Sequence, residues 1–452
     1  MSKTYRPYEP DQILLLPPSV KDWLPSGHLA HFISELVEES LDLKAIIEVY
    51  EREERGYPPY HPVMLTKVWL YAYCVGIPSS RKIEKRLMED VAFRMLAANN
   101  TPNFRTISDF RKENLTALDG LFLQVLKLCQ KAGMVKLGHV ALDGTKMKAN
   151  ASKHKAMSYD RMKKDEARLA AEVKEFLRQA EEADAREDAE YGPDKRGDEL
   201  PAELAFREGR LKKIREAKEA LEFEAREEAE AKKQQAEAGR DRDSKSPEAV
   251  PRDKAQKNFT DPESRIMPSS SEKGSFLQGY NCQAAVDDKH QVIVACDTTQ
   301  QTNDSQQAKP MLEQVKKNTG KAPDKVSMDA GYTGEDNIVA VEALGSEAFI
   351  ATSRKKHSAA VPSAPRGRIP KNLSVVDRMR RKLLTKKGRA IYAKRKEIVE
   401  PVFGQTKQCR GFRQFLLRGM KKVKSEWSLI CTTHNLLKLW RKMSAKTALQ
   451  AA

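Results

Sequence analysis

Two aspartates follow short apolar runs, and both are candidates for chemistry. Asp143 comes after Gly138–Leu142 and before Gly144, while Asp329 comes after Lys325–Met328. A buried strand that ends at a turn has this pattern, although Asp-Gly alone is also ordinary turn chemistry. The end of a strand lies beside the loops where α/β sheets bind ligands. Two carboxylates gathered there repel each other unless a cation lies between them, so the pair predicts a magnesium site.

A third acid, Glu400, lies in a basic segment that runs from Tyr392 to Lys407. Glu400 and Lys407 are seven residues apart, which places them on one face of a helix, two turns from each other. Arg395 precedes Glu400 by five residues and is able to reach the same side. In this arrangement a carboxylate holds a metal ion while the flanking cations bind phosphate oxygens. The segment therefore indicates phosphate chemistry.

Glu397 competes with Glu400 for the role of third acid. Glu397 has no lysine at the same offset, and it is able to pair with Lys394 or Arg395 as a solvated helix charge. We therefore favour Glu400. Pro401 directly follows Glu400 and is unfavourable inside a helix, so we expect the helix either to start near this point or to kink.

The elements that position these acids differ along the chain. Residues 28 to about 135 have apolar positions at helical spacing, and a further helix is expected to open at Ser108. Gly76–Ser80 separates two helices, the second of which continues through Ile83 and Val91. Two helices joined by such a turn resemble a helix-turn-helix, but any helical bundle contains similar turns. DNA docking and plain bundle packing therefore both stay open for this segment.

After this region the apolar pattern changes to that of strands. The segments that we interpret as strands are 138–143, Tyr280–Val286, Gln291–Asp297, Lys325–Met328 and Ala348–Ala351. A helix is expected around 307–317. Strands and helices mixed in this order predict an α/β domain with a mixed sheet.

Residues 155–264 have a different composition, rich in Ala, Glu, Lys and Arg. Within them, residues 161–240 hold 19 Lys+Arg and 23 Asp+Glu, with Gly192-Pro193 interrupting a loose apolar repeat. We expect a solvent-exposed helical hairpin inserted into the α/β domain, followed by a mobile tail near 239–275. A solvated arm without function and an arm for dimerisation or DNA clamping both stay open.

The positive charge of the chain indicates what kind of partner it binds. The 452 residues include 81 Lys+Arg against 64 Asp+Glu, a net charge of +17. Residues 351–430 alone carry 23 Lys+Arg and four acids, so this stretch is more positive than the whole chain. Release of counter-ions gives such a stretch a salt-dependent affinity for a phosphate backbone. Nucleic acid is therefore the expected partner, in preference to a membrane surface.

Several classes of protein are disfavoured. The six cysteines show no CxxC spacing, which argues against zinc fingers, zinc ribbons and a disulfide scaffold. Apolar runs stay short of the roughly 20 residues that span a bilayer, and the N-terminus has no signal-type apolar core. Two carboxylates also suit a glycosidase, but no aromatic-rich sugar cleft is visible and the positive charge fits poorly. We expect a soluble, intracellular protein.

The basic segment resembles the third-acid region of the DDE transposases of bacterial insertion sequences. The group related to IS-four and IS-five has the signature Tyr-x2-Arg-x3-Glu-x6-Lys. Tyr392 and Arg395 supply its first half, and Glu400 and Lys407 supply its second. Four residues instead of three separate Arg395 from Glu400, so Lys396 takes the position expected for the arginine.

The resemblance extends over most of the chain except the charged insertion. Leu142–Thr145 looks like the first aspartate strand of the family and Met328–Tyr332 like the second. Gly279–Val286 is similar to the intervening strand, and Thr433–Leu436 to the segment that closes such domains. Residues 58–135 look like the N-terminal helical DNA-binding region.

This resemblance implies a fold and a domain organisation. The fold class is α/β, with an RNase H-like mixed sheet of five strands flanked by helices, on which the three acids converge. The expected domains are an N-terminal helical DNA-binding domain at 1–135, a catalytic domain at 136–154 plus 265–445, and the charged helical hairpin at 155–264.

The resemblance also implies a reaction. Two Mg²⁺ ions, with Mn²⁺ as a substitute, would be held by Asp143, Asp329 and Glu400, with Asp143 bridging both ions. Water would first nick the transposon end, and the freed 3′ hydroxyl would then attack target DNA. The residues that the resemblance assigns to phosphate positioning are Tyr392, Arg395, Lys396 and Lys407.

The implied partners are double-stranded DNA, both as terminal inverted repeats and as target, and further copies of the chain in a dimer or larger assembly. The implied location is the bacterial cytoplasm, in association with the nucleoid and not with a membrane. The alternative is a catalytically inactive, sequence-specific DNA-binding protein derived from a transposase, which the three intact acids disfavour. A coiled-coil scaffold built on 155–264 would leave the aspartate-bearing strands unexplained.

Overall fold

The computed structural model describes residues 19–51, 58–191, 202–237, 250–269, 274–353 and 372–451, together with 363–365, 367 and 370. The described residues form three parts: an N-terminal helical region, a mixed sheet with helices, and a long helical hairpin. In the described part of the chain, no helix combines the length and the apolar character needed to span a bilayer.

The N-terminal region is helical, as its sequence spacing predicts. Its helices are α1 (Leu29–Glu39), α2 (Lys44–Glu51), α3 (Pro62–Cys74), α4 (Ser80–Glu89), α5 (Val91–Leu96), α6 (Phe104–Glu113) and α7 (Leu115–Lys131). Helix α3 is apolar on most sides and is buried along almost its whole length, so it forms the centre of this region.

Two helix boundaries differ from those predicted. Val91 does not continue α4 but begins α5, because the side chain of Asp90 accepts hydrogen bonds from the first N–H groups of a new helix. Helix α6 opens at Phe104 and not at Ser108, since Asn103 caps its N-terminus. In both places a capping side chain decides where the helix begins.

The sheet is mixed and has six strands in the described residues, one more than predicted. The strands are β1 (Val140–Lys148), β4 (Arg265–Pro268), β5 (Phe276–Asp287), β6 (Ile293–Thr299), β7 (Lys325–Met328) and β8 (Glu347–Ile350). Strand β5 runs antiparallel to β1, while β7 and β8 extend the sheet in parallel on the other side of β1. Strands β4 and β6 pair with successive stretches of β5, and β4 is the strand that the sequence did not reveal.

Strand β1 does not end at Asp143, which corrects the prediction. It continues to Lys148, and its pairing with β5 is unbroken from Val140 to that residue. Gly144 therefore lies inside the strand and not in a turn. A Cβ there would come within 2.5 Å of Asp304 Oδ1 and 2.6 Å of Gln283 Nε2, so the glycine makes room for side chains packed on the strand.

The remaining helices cover the sheet and join it to the N-terminal region. They are α10 (Ala308–Thr319), α11 (Glu335–Ala343), α12 (Val375–Leu384), α13 (Lys386–Gly404) and α14 (Met420–Ala451). Helix α14 packs against α3, α7 and β6, and one continuous hydrophobic core includes residues of the N-terminal helices and of the sheet. The Asn435 side chain bonds both the N–H and the carbonyl of Ile293, which fixes α14 against β6.

The inserted segment forms a pair of long helices, α8 (Tyr159–Tyr191) and α9 (Ala202–Glu237), with a small core of its own. Strands β2 (Ala156–Ser158) and β3 (Gln256–Asn258) pair at its base. Part of the expected tail, 239–249 and 270–273, lies outside the described residues. The rest is not a tail, because it contains β3, β4 and a buried Asp261 that accepts hydrogen bonds from Tyr280 and Gly419.

Candidate active site

The pairing of two parallel strands brings Asp143 and Asp329 together. Leu142 of β1 lies opposite Met328 of β7, so the next residue on each strand is an aspartate at the same level of the sheet. The Asp143 side chain is 17% exposed. Asp329 begins a 3₁₀ turn, where its Oδ1 accepts a hydrogen bond of 2.8 Å from Gly331 N.

The environment of Asp143 disfavours a lone negative charge. Burial and the neighbouring charge of Asp329 raise the pKa of Asp143, while Arg395 and the N–H of Gly144 lower it, and together they bring the pKa to about 6. An ionised carboxylate at this position therefore needs a cation beside it.

Arg395 of α13 provides such a cation. Its Nη1 donates to Asp143 Oδ2 at 2.7 Å, and its Nη2 lies 3.9 Å from Glu400 Oε1. The guanidinium is 11% exposed and lies 6.0 Å from the centre of the Tyr392 ring. One guanidinium thus separates the first predicted acid from the third.

The other predicted residues of α13 lie farther from the aspartates. The Glu400 side chain is 55% exposed, although it stays within reach of Arg395. Glu397 and Lys396 are also exposed, and neither forms an ion pair with a residue that the structure describes. Arg395, and not Lys396, therefore lies beside the aspartates.

Helix α13 passes through Pro401, so the helix start expected near that residue is wrong. Proline has no N–H to offer the carbonyl one turn earlier, which belongs to Glu397. The Gln291 side chain fills that role, and its Nε2 donates to Glu397 O at 2.8 Å. A side chain from the β5–β6 connection thus satisfies the carbonyl that the proline leaves without a partner in the helix.

A π turn, Gln405–Cys409, follows α13 and places Lys407 on the sheet. Lys407 Nζ donates to the backbone carbonyl of Lys146 in β1 at 2.8 Å. Burial lowers the pKa of the Lys407 ammonium group, and also that of the Lys146 side chain. One partly buried cation, Lys146, therefore lies on β1 three residues after Asp143, and a second, Lys407, contacts that strand from the π turn.

Sequence reasoning interpreted Asp304 as a structural residue and did not single out Lys146. Asp304 lies in the loop after β6, where its Oδ1 accepts hydrogen bonds from Asn281 Nδ2 at 2.6 Å and Gln283 Nε2 at 2.7 Å. Lys146 Nζ lies 3.9 Å from Asp304 and donates to Thr302 O at 2.8 Å. A polar loop has no periodicity that would single out one aspartate. The sequence therefore showed only that Asp304 lies in a run of polar residues.

The carboxylates have the right ligand atoms for a divalent metal ion, but they are not arranged as a metal site. Asp143 and Asp329 offer the hard oxygen ligands that Mg²⁺ prefers, and Asp143 lies where a positive charge is required. Among the described residues, however, no three His, Cys, Asp or Glu side chains are gathered closely enough to hold a metal. Arg395 takes the position between Asp143 and Glu400, so a metal shared by these acids requires that Arg395 move aside.

Comparison with protein families identifies the domains. Residues 238–436 match the transposase DDE domain, and residues 18–113 match a transposase domain known as DUF772. The first match includes Asp329 and Glu400, while Asp143 precedes it in sequence and joins it through the pairing of β1 with β5 and β7. No curated protein and no solved structure was found to match the chain.

The two matches lie on either side of the inserted helices, and each covers a part that the structure shows as a distinct arrangement of elements. Proteins with a transposase DDE domain act in transposition, bind DNA and generally use divalent metal ions. The chain therefore belongs to the DDE transposases of insertion sequences.

Proposed function

We propose that this transposase cuts DNA strands at the ends of its element and joins the freed 3′ hydroxyl groups to target DNA, with Asp143, Asp329 and Glu400 as its catalytic acids. The observation that carries the proposal is the side-by-side position of Asp143 and Asp329, with Glu400 on the other side of one guanidinium. All three side chains are intact carboxylates, as an active enzyme requires.

The sheet supports an RNase H-like fold for the catalytic domain. Strands β6, β5 and β1 are antiparallel neighbours, and β1, β7 and β8 are parallel neighbours. These five strands with their covering helices correspond to the mixed sheet that the family resemblance implies, and β4 is an addition at the β5 edge. We infer a catalytic domain of 136–154 plus 265–445, preceded by a DNA-binding domain at 1–135 and interrupted by the inserted hairpin.

Asp143, Asp329 and Glu400 would hold two Mg²⁺ ions, or Mn²⁺ in their place. When bound, such a pair activates the attacking oxygen and stabilises the leaving oxygen of an in-line displacement at phosphorus. The high cost of a lone charge on Asp143 favours binding of a cation there, because its pKa is raised by burial.

The surrounding cations have separate roles. Arg395 keeps Asp143 ionised before metal and DNA arrive, since its hydrogen bond stabilises the carboxylate. Once a cation lies between the acids, Arg395 is free to donate to a phosphate oxygen of the cleaved strand. Tyr392 lies beside Arg395, and Lys407 contacts the same strand as Asp143, so both would help to orient that phosphate, whereas the exposed Lys396 would contact the DNA backbone outside the site.

DNA contacts would extend beyond the acids. The stretch 351–430 carries most of the excess positive charge, and terminal inverted repeats and target DNA are the expected ligands. Cutting and joining two ends together calls for at least two active sites, so the DNA complex would contain a dimer or a larger assembly.

The test replaces each acid by its amide, which keeps the shape of the side chain and removes the charge. We expect Asp143→Asn, Asp329→Asn and Glu400→Gln each to abolish Mg²⁺-dependent nicking of end-containing DNA, while a gel shift shows that DNA binding persists. Glu397→Gln is the matched control, since it makes the same substitution one turn away on α13 and should leave nicking within about a few-fold of the parent.

Two results would contradict the assignment in different ways. Nicking by Glu400→Gln together with loss of nicking in Glu397→Gln would move the third acid to Glu397. Normal nicking by all four variants would remove the proposed reaction altogether.

A further inference from the structure

A basic cavity of about 320 Å³ lies in the N-terminal region, apart from the three acids. Helices α4 and α6 supply most of its wall, and Leu416 from the loop before α14 completes it. Its charged lining residues are Arg81, Arg105, Arg111, Lys112 and Asp109. Positive charge therefore predominates, and the one lining carboxylate, Asp109, is already paired with Lys112 at 2.8 Å.

The N-terminus of α4 opens into this cavity without a cap. Ser79 is the N-cap residue and lines the cavity, but its side chain makes no capping hydrogen bond. The first N–H groups of a helix have no partner within the helix, and together they attract an anion. The neighbouring helix α6, by contrast, is capped by Asn103.

Arg111 adds a buried donor to the cavity wall, beside the buried Glu426 carboxylate, whose charge acts on it through the Tyr73 hydroxyl. The residue is only 5% exposed, lines the cavity, and has an Nε without a hydrogen-bond partner among the residues that the structure describes. Its Nη1 donates to the Tyr73 hydroxyl at 2.9 Å, and its guanidinium stacks 4.6 Å from the Trp69 ring. The guanidinium is thus held in place at the cavity wall, and its Nε–H has no acceptor among the described residues.

The exposed cations around the cavity are available to a ligand. Arg81 and Arg105 form no ion pair with any residue in the described ranges, and Arg81 lies over the Phe104 ring at 4.9 Å. We propose that this cavity binds a phosphodiester group of the DNA backbone through the N-terminus of α4 and these basic side chains. The inference rests on the proposed function, since it assumes that the chain acts on DNA.

Such a contact would position the DNA without reading its sequence, because phosphates are the same at every base pair. It would also tie DNA to the junction between the helical region and the catalytic domain. Gly76, in the turn before α4, lies so close to Arg410 that a Cβ there would come within 2.4 Å of the Arg410 carbonyl oxygen. A phosphate held at α4 is therefore held at a fixed place relative to the end of the π turn that carries Lys407.

The first test introduces a carboxylate of the protein itself at the proposed phosphate site. Ser79→Asp places a carboxylate at an extended N-cap position, where it would cap α4 and compete with a phosphate. We expect a higher Tm for the full chain together with roughly tenfold weaker binding of duplex DNA, and a salt slope that is smaller by about 0.9, the contribution of one phosphate. Ser79→Asn, which caps without charge, should raise Tm but weaken DNA binding less.

The second test removes cations from the surface of the cavity. Arg105→Gln combined with Lys112→Gln should lower the affinity for end-containing and unrelated duplexes equally and reduce the salt slope. Lys127→Gln combined with Arg252→Gln removes the same charges from exposed positions outside the cavity and should leave both quantities nearly unchanged. Fluorescence anisotropy over a range of salt concentrations measures affinity and slope together.

The outcomes separate the two proposals. If the parent cuts DNA while Ser79→Asp and the double cavity variant bind DNA as the parent does, the cavity does not hold a phosphate and the catalytic proposal is untouched. Equal losses in the cavity variant and its matched control would also overturn the site, because they would reduce it to general charge. A parent that neither binds nor cuts DNA would contradict the proposed function itself.

Discussion

Arg395 is the side chain on which the electrostatics of the acid pair depends. Its hydrogen bond to Asp143 opposes the effect of burial, and the pKa of that carboxyl stays raised, at about 6, despite the guanidinium. Removing the guanidinium leaves only the N–H of Gly144 to oppose the effect of burial, so the pKa of Asp143 rises further. Asp143 then needs a higher pH to become ionised.

We therefore expect Arg395→Gln to slow DNA nicking by about 10- to 100-fold near neutral pH, the equivalent of a charged hydrogen bond of about 1.5–3 kcal/mol. The acid side of its pH–rate profile should move to higher pH, because only the ionised carboxylate binds a cation. Nicking rates between pH 5.5 and 9 measure both effects.

Lys396→Gln is the control for this prediction, since it removes a positive charge from the next residue on the same helix, where the side chain is exposed. Its rate and its pH profile should stay close to those of the parent. A shifted profile in Lys396→Gln with a normal one in Arg395→Gln would show that the basic residue of the site had been assigned wrongly.

At this scale the sequence indicated the two neighbouring aspartates more clearly than the side chains around them. Asp143 and Asp329 were recognisable because each follows an apolar run, and such a run has a periodic signal. The sequence left Arg395 and Lys396 open, because the two differ only in their position along a helix, and in the structure it is Arg395 that contacts Asp143. Asp304 was not predictable, because it reaches the site from a loop whose path the sequence does not specify.

Helix α14 joins the N-terminal helices to the sheet, and its buried His434 makes that joint sensitive to acid. Nε2 of His434 contacts the Gln291 carbonyl at 2.9 Å, and burial lowers the pKa of the imidazole to about 3. In the unfolded chain the same group has an ordinary pKa near 6.5. The unfolded state therefore binds more protons below pH 6.5, and stability is lost as the pH falls from 6.5 toward 3.

At pH 5 this single histidine should lower the free energy of unfolding by about 2 kcal/mol relative to pH 7.5. His434→Gln retains a donor for the Gln291 carbonyl and has no titrating group, so its stability should depend less on pH by that amount. Urea denaturation at pH 7.5 and pH 5 measures the difference. His154→Gln, at an exposed position, should keep the pH dependence of the parent, and an unchanged dependence in His434→Gln would rule out the buried imidazole as its source.

Helices and strands were predictable where a local sequence pattern specifies them, and less so where tertiary contacts determine where an element begins or ends. Strands β5, β6, β7 and β8 were located from their apolar runs. The continuation of β1 past Asp143 was missed because its last five residues look polar, yet their pairing with β5 makes them strand. Strand β4 was also missed. Its four residues are too few for a recognisable pattern, and they form a strand only because they pair with the start of β5.

Across the whole molecule, the hydrophobic core divides the chain into two units of very different size. The N-terminal helices and the sheet share one core, while α8 and α9 pack around a separate small cluster that includes Met162 and Ile214. The hairpin therefore has its own packing. Its charged surface explains why the composition of residues 155–264 differs so clearly from that of the rest of the chain. Its base does not end where the composition changes, because Asp261 is buried among residues of the main core.

This division predicts that the hairpin is removable if the cut respects the base. Ser158 of β2 and Gln256 of β3 are paired, so an Asn-Gly turn in place of residues 159–255 connects the two strands as a hairpin. We expect the shortened chain to unfold cooperatively, with a Tm close to that of the parent, because the main core loses none of its buried residues. Thermal melts followed by circular dichroism provide the measurement.

The matched control removes the whole of 155–264 behind a similar linker. That deletion takes away Asp261 and with it the hydrogen bonds to the Tyr280 hydroxyl and the Gly419 N–H, so the buried tyrosine loses its partner. Each such bond to a charged group is worth about 1.5–3 kcal/mol, and this variant should therefore melt well below the shorter deletion. If the shorter deletion aggregates or melts without cooperativity, α8 and α9 belong to the main packing, and the boundary between the two cores does not mark separate folding units.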